Sequence, residues 1–141
     1  MTSGRASRQL LWHMTGLIGY ARTFFHGGDY APPALPSLQD EIERFHEQLA
    51  LLAHDLDDPA LACTLSAEQL LQGPLADAMT HVGQLAMLRR LAGDPVPSEN
   101  FIHAQVTPAN LTPSQPAPAH PDGWWHPEQG HLPPGPIASD G

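Results

Sequence analysis

The stretch that decides the fold is residues 74–93, which read PLADAMTHVGQLAMLRRLAG. Proline favours the first turn of a helix and glycine the position just after its end, so Pro74 and Gly93 delimit one helix. A helix that is apolar on all sides is typical of the centre of a bundle. Here the apolar side chains point almost all round: Leu75, Met79, Val82, Leu85, Ala86, Leu88 and Leu91. The sequence therefore predicts an all-α fold with this helix buried at its centre.

Two longer helices and a short one precede this central helix. Apolar residues recur with the helical period through residues 7–25, and the glycines at 27–28 follow as a stop signal. Ser66 and Gln69 make a capping box, which predicts a short helix ending near residue 71.

Between these two helices, apolar residues recur at alternating intervals of four and three, which predicts a second long helix with one apolar seam facing a partner helix. The seam consists of Leu38, Ile42, Phe45, Leu49, Leu52 and Leu56. Ser37, with Asp40 three residues on, resembles a capping box at the start of this second long helix, a weaker match than that of Ser66 and Gln69. Because acidic residues fill its other faces, we expect this helix at the edge of the bundle.

The composition changes after Gly93, where most of the 16 prolines lie. Residues 100–102 predict a short segment docked on the bundle. From about residue 107 the chain has no period and few core residues, which is typical of an extended coil, with Trp124-Trp125 as its anchor. We therefore predict a helical bundle domain at residues 1–105 and a proline-rich extended or disordered tail at residues 106–141.

Charge and cysteine content narrow the function classes. The net charge is −9 and the six basic residues are all arginine, with only Arg89-Arg90 adjacent in a helix, so a nucleic-acid partner is not expected. No run approaches the roughly 18 apolar residues of a membrane span. The single Cys63 cannot form an internal disulfide, which fits a reducing compartment. We expect a cytoplasmic protein that acts on a small molecule.

One group of side chains indicates metal chemistry. Asp77 and His81 are four residues apart, so on a helix they share one face with Cβ atoms about 6 Å apart, within reach of one ion. His13 is the histidine that we pair with them, because it shares a helical edge with Leu10 and should face the bundle. Imidazole and carboxylate together bind zinc, nickel or iron(II). Alternatively, Asp77 complements the helix dipole and hydrogen-bonds to His81, while Gln84 caps a carbonyl.

Four stretches resemble the DinB-like (YfiT-like) superfamily of bacterial four-helix proteins. They are LWHMTG at 11–16, HVGQL at 81–85, LRRLAG at 88–93 and PVPSENF at 95–101. The resemblance covers roughly residues 8–105, with residues 116–122 as a further candidate stretch, and implies a four-helix bundle. The helical pattern of this chain supplies three long helices and a short one of that bundle. Members typically hold a divalent metal, commonly nickel or zinc, with three histidines.

By position, the resemblance implies a metal site formed by His13, Asp77 and His81. Asp77 stands where the family has a histidine, which favours harder metals or loss of the metal altogether. Family members also carry a full helix before the one with the first ligand, whereas only about seven residues precede that helix here. We therefore expect that the chain lacks most of this helix. Otherwise the tail or a second subunit, forming a homodimer, covers the open groove.

The function implied by the resemblance is divalent-metal-assisted transfer or hydrolysis on a small molecule, including thiol transfer. It implies no substrate and no catalytic residue beyond the metal ligands. The alternative is a non-catalytic helical protein or oligomerisation module whose metal site has degenerated.

Overall fold

The computed structural model describes residues 3–121. Within this range the chain forms helices and no β-strand, so the all-α prediction is confirmed. The helices are α1 (Ser3–His26), α2 (Leu38–Asp57), the short α3 (Ala67–Leu70) and α4 (Ala76–Leu91). A π-helical turn, Leu71–Leu75, joins α3 to α4 and is kinked at Gly73. The helix α1 packs against both α2 and α4. None of the described helices combines the length and apolar character that a membrane span requires.

The helix boundaries follow the predicted capping residues. After α1 the backbone turns through Gly27 at φ +73°, a left-handed conformation that favours glycine. The Ser37 hydroxyl accepts the Asp40 N–H at 3.1 Å at the start of α2. Ser66 and Gln69 form the reciprocal capping box of α3, as predicted. Local chemistry therefore sets these three helix ends. The predicted start of α4 at Pro74 is wrong, because the π-helical turn includes Pro74 and α4 continues from it without a side-chain cap.

The core is centred on α1, and the predicted seam of α2 is only partly correct. Leu52 is buried, whereas Leu38 and Leu56 at the two ends of the seam are exposed. The core comprises Leu11, Met14, Ile18, Ala21, Leu52, Leu70 and Ala78. The prediction that the acidic residues of α2 lie outside is wrong for Glu41 and Asp55, which are buried. Together with Gln48 they form a polar row on α2 at seven-residue spacing, buried alongside Leu52.

The polar row is buried because arginines neutralise its carboxylates. Arg22 of α1 donates from Nε to Asp55 Oδ2 at 2.7 Å and from Nη1 to Gln48 at 3.3 Å. His26 Nε2 lies 2.9 Å from the other Asp55 oxygen. Burial by itself raises the pKa of the Asp55 carboxyl, but the hydrogen bonds from Arg22 and His26 outweigh it and the pKa is lowered. Glu41 pairs with Arg44 on its own helix at 2.7 Å.

The predicted central position of α4 is wrong. Ala78 is buried, but Met79 and Leu91 are 68 % and 76 % exposed. The helix packs against α1 on one side, and no described helix covers its opposite side. An apolar helix is buried only where partners cover its faces, and here the partner on one side is absent from the described residues.

Residues 92–121, after α4, form turns and extended chain. Asp94 binds back to Arg89 at the end of α4 at 2.7 Å. His46 Nδ1 of α2 lies 2.7 Å from the Leu111 carbonyl oxygen. The Glu99 carboxylate accepts the N–H groups of Ala119 at 2.8 Å and His120 at 2.9 Å. These contacts hold the segment against α2 and close it on itself.

The predicted docking of residues 100–102 is wrong, because Phe101 and Ile102 are 87 % and 86 % exposed. The Asn100 N–H donates to the His120 carbonyl, and the Glu99 carboxylate accepts the Ala119 N–H, so these bonds set the segment instead and its apolar side chains do not enter the core. The Trp124-Trp125 anchor lies outside the described residues. The domain boundary between residues 105 and 106 stays a prediction.

Two glycines of α1 should respond oppositely to alanine. A Cβ at Gly19 would overlap the ring of Tyr30, whereas at Gly16 no atom lies within 4 Å. Alanine favours a helix interior by about 1 kcal/mol, so Gly16→Ala should raise the free energy of unfolding by about 0.5–1 kcal/mol. Gly19→Ala should lower it by about 1–3 kcal/mol, because Tyr30 must move. Urea unfolding measures both, and equal effects would show that the approach of Tyr30 does not matter.

Candidate metal centre

The helices α1 and α4 run antiparallel and bring together the three side chains that the sequence singled out. Leu10 lines the same groove as Leu88, while Leu17, further along α1, lies near Asp77 at the start of α4. Between these points one potential ligand atom each from His13, Asp77 and His81 lies within 4.8 Å of the others. The rings of the two histidines meet edge to face with centroids 4.8 Å apart.

Asp77 and His81 form the closer pair of the cluster. Asp77 Oδ1 lies 3.3 Å from His81 Nε2, one helical turn away, with side chains 52 % and 18 % exposed. Asp77 lies in the first turn of α4, where the helix dipole favours a negative charge. The position of Asp77 in this turn therefore places a ligand-type side chain next to His81 without opposing the helix dipole.

A hydrogen bond to Gln84 orients the His81 imidazole. His81 Nδ1 lies 2.7 Å from Gln84 Oε1. An amide oxygen only accepts, so this hydrogen bond assigns a proton to Nδ1, and Nε2 of the neutral ring form then carries a free lone pair. That lone pair faces the Asp77 carboxylate. The two acceptors repel each other unless a proton or a cation lies between them.

The geometry fits one tetrahedral metal ion after a small adjustment. Metal–ligand bonds of about 2.0–2.1 Å place neighbouring ligand atoms about 3.4 Å apart. The 3.3 Å between Asp77 and His81 meets that requirement. The largest separation among the three ligand atoms, up to 4.8 Å, exceeds that spacing by about 1.4 Å, so the His13 side chain must move toward the pair to complete the site. Two imidazoles and one carboxylate leave a fourth position for water or substrate.

The structure corrects the predicted surroundings of the cluster. The prediction that His13 faces the bundle interior is wrong, because His13 lies exposed at the groove between α1 and α4. Asp77 is exposed as well, since α4 is not central. The cluster therefore lies at the surface. The alternative, a hydrogen bond from a protonated His81 to Asp77 with no metal, fits the same 3.3 Å distance, and a metal titration distinguishes the two.

Two grooves that the sequence did not predict flank the cluster. One, of about 540 Å³, runs from His13 along Leu10 and Met87. The other, of about 660 Å³, runs from Asp77 along Tyr20 and Phe24. The available signal in the sequence was Leu10, one turn before His13, together with Met87 and Leu88, one turn after Gln84. Only the antiparallel packing places those residues side by side.

Comparison of the chain with protein-family models, with curated proteins and with solved structures found no match.

Proposed function

We propose that this chain is a DinB-like helical protein that binds one divalent transition-metal ion through His13, Asp77 and His81. The observation that carries the proposal is the convergence of three ligand atoms from two helices that are distant in sequence. The orientation of His81 by Gln84 adds support, because metal-binding histidines usually donate their second ring N–H to an acceptor.

The donor set favours zinc and iron(II) over nickel. A carboxylate is a harder ligand than the third histidine of the family pattern, and sets of two histidines and one carboxylate serve zinc hydrolases and iron(II) enzymes. A bound ion would supply Lewis-acid activation of a water molecule or thiolate for transfer or hydrolysis on a small electrophile. Asp77 contributes negative charge, and Gln84 fixes the ring of His81. The exposed edge at His13 leaves the site open to small molecules.

Removing one ligand should abolish stoichiometric metal binding. We expect the protein to take up one equivalent of Co²⁺ or Zn²⁺, and His81→Ala or Asp77→Ala to weaken binding at least 100-fold, since even outer-shell changes cost 10–100-fold. Gln84→Ala should weaken it by about tenfold. Calorimetric titration and the visible spectrum of the Co²⁺ form measure this directly.

His54→Ala is the matched control, because His54 is an exposed histidine of α2 outside the cluster. It should leave the affinity unchanged. Circular dichroism of the metal-free variants checks that the fold is retained. If wild type and His81→Ala bind the metal equally, the cluster is only an Asp77–His81 ion pair and the proposal fails.

Exposed apolar side chains favour a second candidate, a homo-oligomerisation module. Met79 and Val82 lie exposed on α4, and large unpartnered apolar surface marks interaction sites. If that reading holds, sedimentation will show a dimer that Val82→Glu converts to a monomer. A wild-type protein that stays monomeric at about 100 μM, where interfaces of ordinary strength are already occupied, excludes it.

A further inference from the structure

The groove beside His13 has the chemistry of a binding site for an apolar molecule. Its walls come from α1 and α4, chiefly Leu10, Met87 and Leu88. Its volume of about 540 Å³ lies within the range of small-molecule pockets. The groove opens directly onto His13, so a molecule lying in it would reach the metal ligands at one end.

The groove carries little charge. Among the described residues that line it, Gln9 and Gln84 are the polar ones besides His13, and none is a carboxylate, lysine or arginine. A charged body would lose hydration there without gaining an ionic partner. An uncharged alkyl or aryl body would instead cover Leu10 and Met87 and remove their apolar surface from water.

The groove on the other side of the cluster fits such a body less well. Asp77 is one of its lining residues, with its carboxylate 52 % exposed. Each groove has two amides in its wall, Gln69 and Gln72 here, so the carboxylate makes the difference. This polar lining would have to be desolvated by an apolar occupant.

We infer that the metal centre acts on molecules with a metal-binding head and an uncharged alkyl or aryl body, the body lying between Leu10 and Met87. This inference rests on the proposed metal site. It adds the class of substrate and the direction in which the substrate lies along the groove. The head occupies the open coordination position beside His13. The body runs toward Leu88, away from Asp77.

Alkyl hydroxamates of increasing chain length test this on the Co²⁺-loaded protein. The hydroxamate head is the metal ligand, and the length of the alkyl chain tests whether the groove binds an apolar body. From acetohydroxamate to octanohydroxamate, affinity should rise about two- to threefold per methylene, below the roughly fourfold of complete burial. Calorimetry and the Co²⁺ spectrum provide the readout, with no activity required.

Met87→Gln should remove most of the gain per methylene, because it replaces an apolar wall of the groove by an amide and Met87 is not a metal ligand. Tyr20→Ala, in the other groove, is the matched control and should keep the full gain. If Co²⁺ and acetohydroxamate bind but chain length has no effect, or Met87→Gln keeps the gain, the inference is overturned and the metal site stands. If Co²⁺ does not bind, the proposed function fails and this inference with it.

Discussion

Replacing Glu41 by alanine is expected to lower the free energy of unfolding by about 3–5 kcal/mol. The Glu41 side chain is fully buried, and both carboxylate oxygens accept from Arg44 Nη2, at 2.9 and 2.7 Å. It also accepts the Leu35 N–H at 2.7 Å. Without it, a largely buried guanidinium and a backbone N–H lose their acceptor together. Arg44 Nε already lacks a partner in the described part of the chain.

The loss should extend to the proline-rich loop before α2. Arg44 Nη1 donates to the Pro33 carbonyl at 2.9 Å, so Glu41 fixes the loop directly at Leu35 and indirectly through Arg44. Urea unfolding gives the magnitude, and faster proteolysis within residues 32–36 gives the location. Glu43→Ala is the matched control, because Glu43 is exposed on the same helix and should change stability by less than about 0.5 kcal/mol. Similar effects from the two substitutions would contradict the role of Glu41.

Asp55→Asn is expected to destabilise the protein by about 2–3 kcal/mol at pH 7, toward the low end for a broken ion pair because Arg22 remains 20 % exposed. The neutral amide can accept one hydrogen bond but cannot balance the Arg22 charge. His26 loses its acceptor as well, or meets an amide N–H at the former Oδ1 position.

The effect of Asp55→Asn should depend on pH. The pKa of Asp55 is lower in the folded protein than its ordinary value of 3.8. The stability that it contributes is therefore fully present above that ordinary value and is lost as the pH falls through the lower, folded value. The difference between wild type and Asp55→Asn should shrink on acidification below about pH 4.

Thermal unfolding at a series of pH values measures this convergence. Asp57→Asn, at the exposed end of α2, is the matched control and should show a small difference throughout. A constant difference between wild type and Asp55→Asn down to pH 2 would mean that the Asp55 charge is not what stabilises the contact.

Helix existence and helix ends could be predicted from the sequence because they depend on nearby residues. Gly27, Ser37 and the Ser66–Gln69 pair each act on backbone groups within three or four positions. The pairing of Asp77 with His81 is equally local, since helical spacing alone sets it.

The polar row of α2 could not be predicted by tracing apolar residues. The apolar residues from Leu38 to Leu56 do recur with the spacing of a seam. The buried face of α2, however, also includes the neighbouring polar row with Glu41 and Asp55. The compensating charge comes partly from Arg22 on another helix, and sequence spacing within α2 carries no information about it. An arginine within the apolar period of α1 was the available signal.

The exposure of His13 and of α4 depends on which faces are covered. An apolar pattern measures the tendency of a helix to be buried, while burial itself needs a partner on each face. The described residues supply α4 with α1 on one side. For that reason the side chains of His13, Asp77 and His81 lie close together, as the sequence predicts, but at the surface and not in the interior.

Single-sided packing of α4 divides the molecule into parts that open at different free energies. The helices α1 and α2 share the polar row and most of the core, so separating them requires nearly global unfolding. In contrast, α4 can detach locally by giving up one interface. An ion held jointly by His13 and His81 would link the two parts, so that detachment of α4 would require release of the ion. Metal occupancy and the amide-exchange rate of α4 would then be coupled.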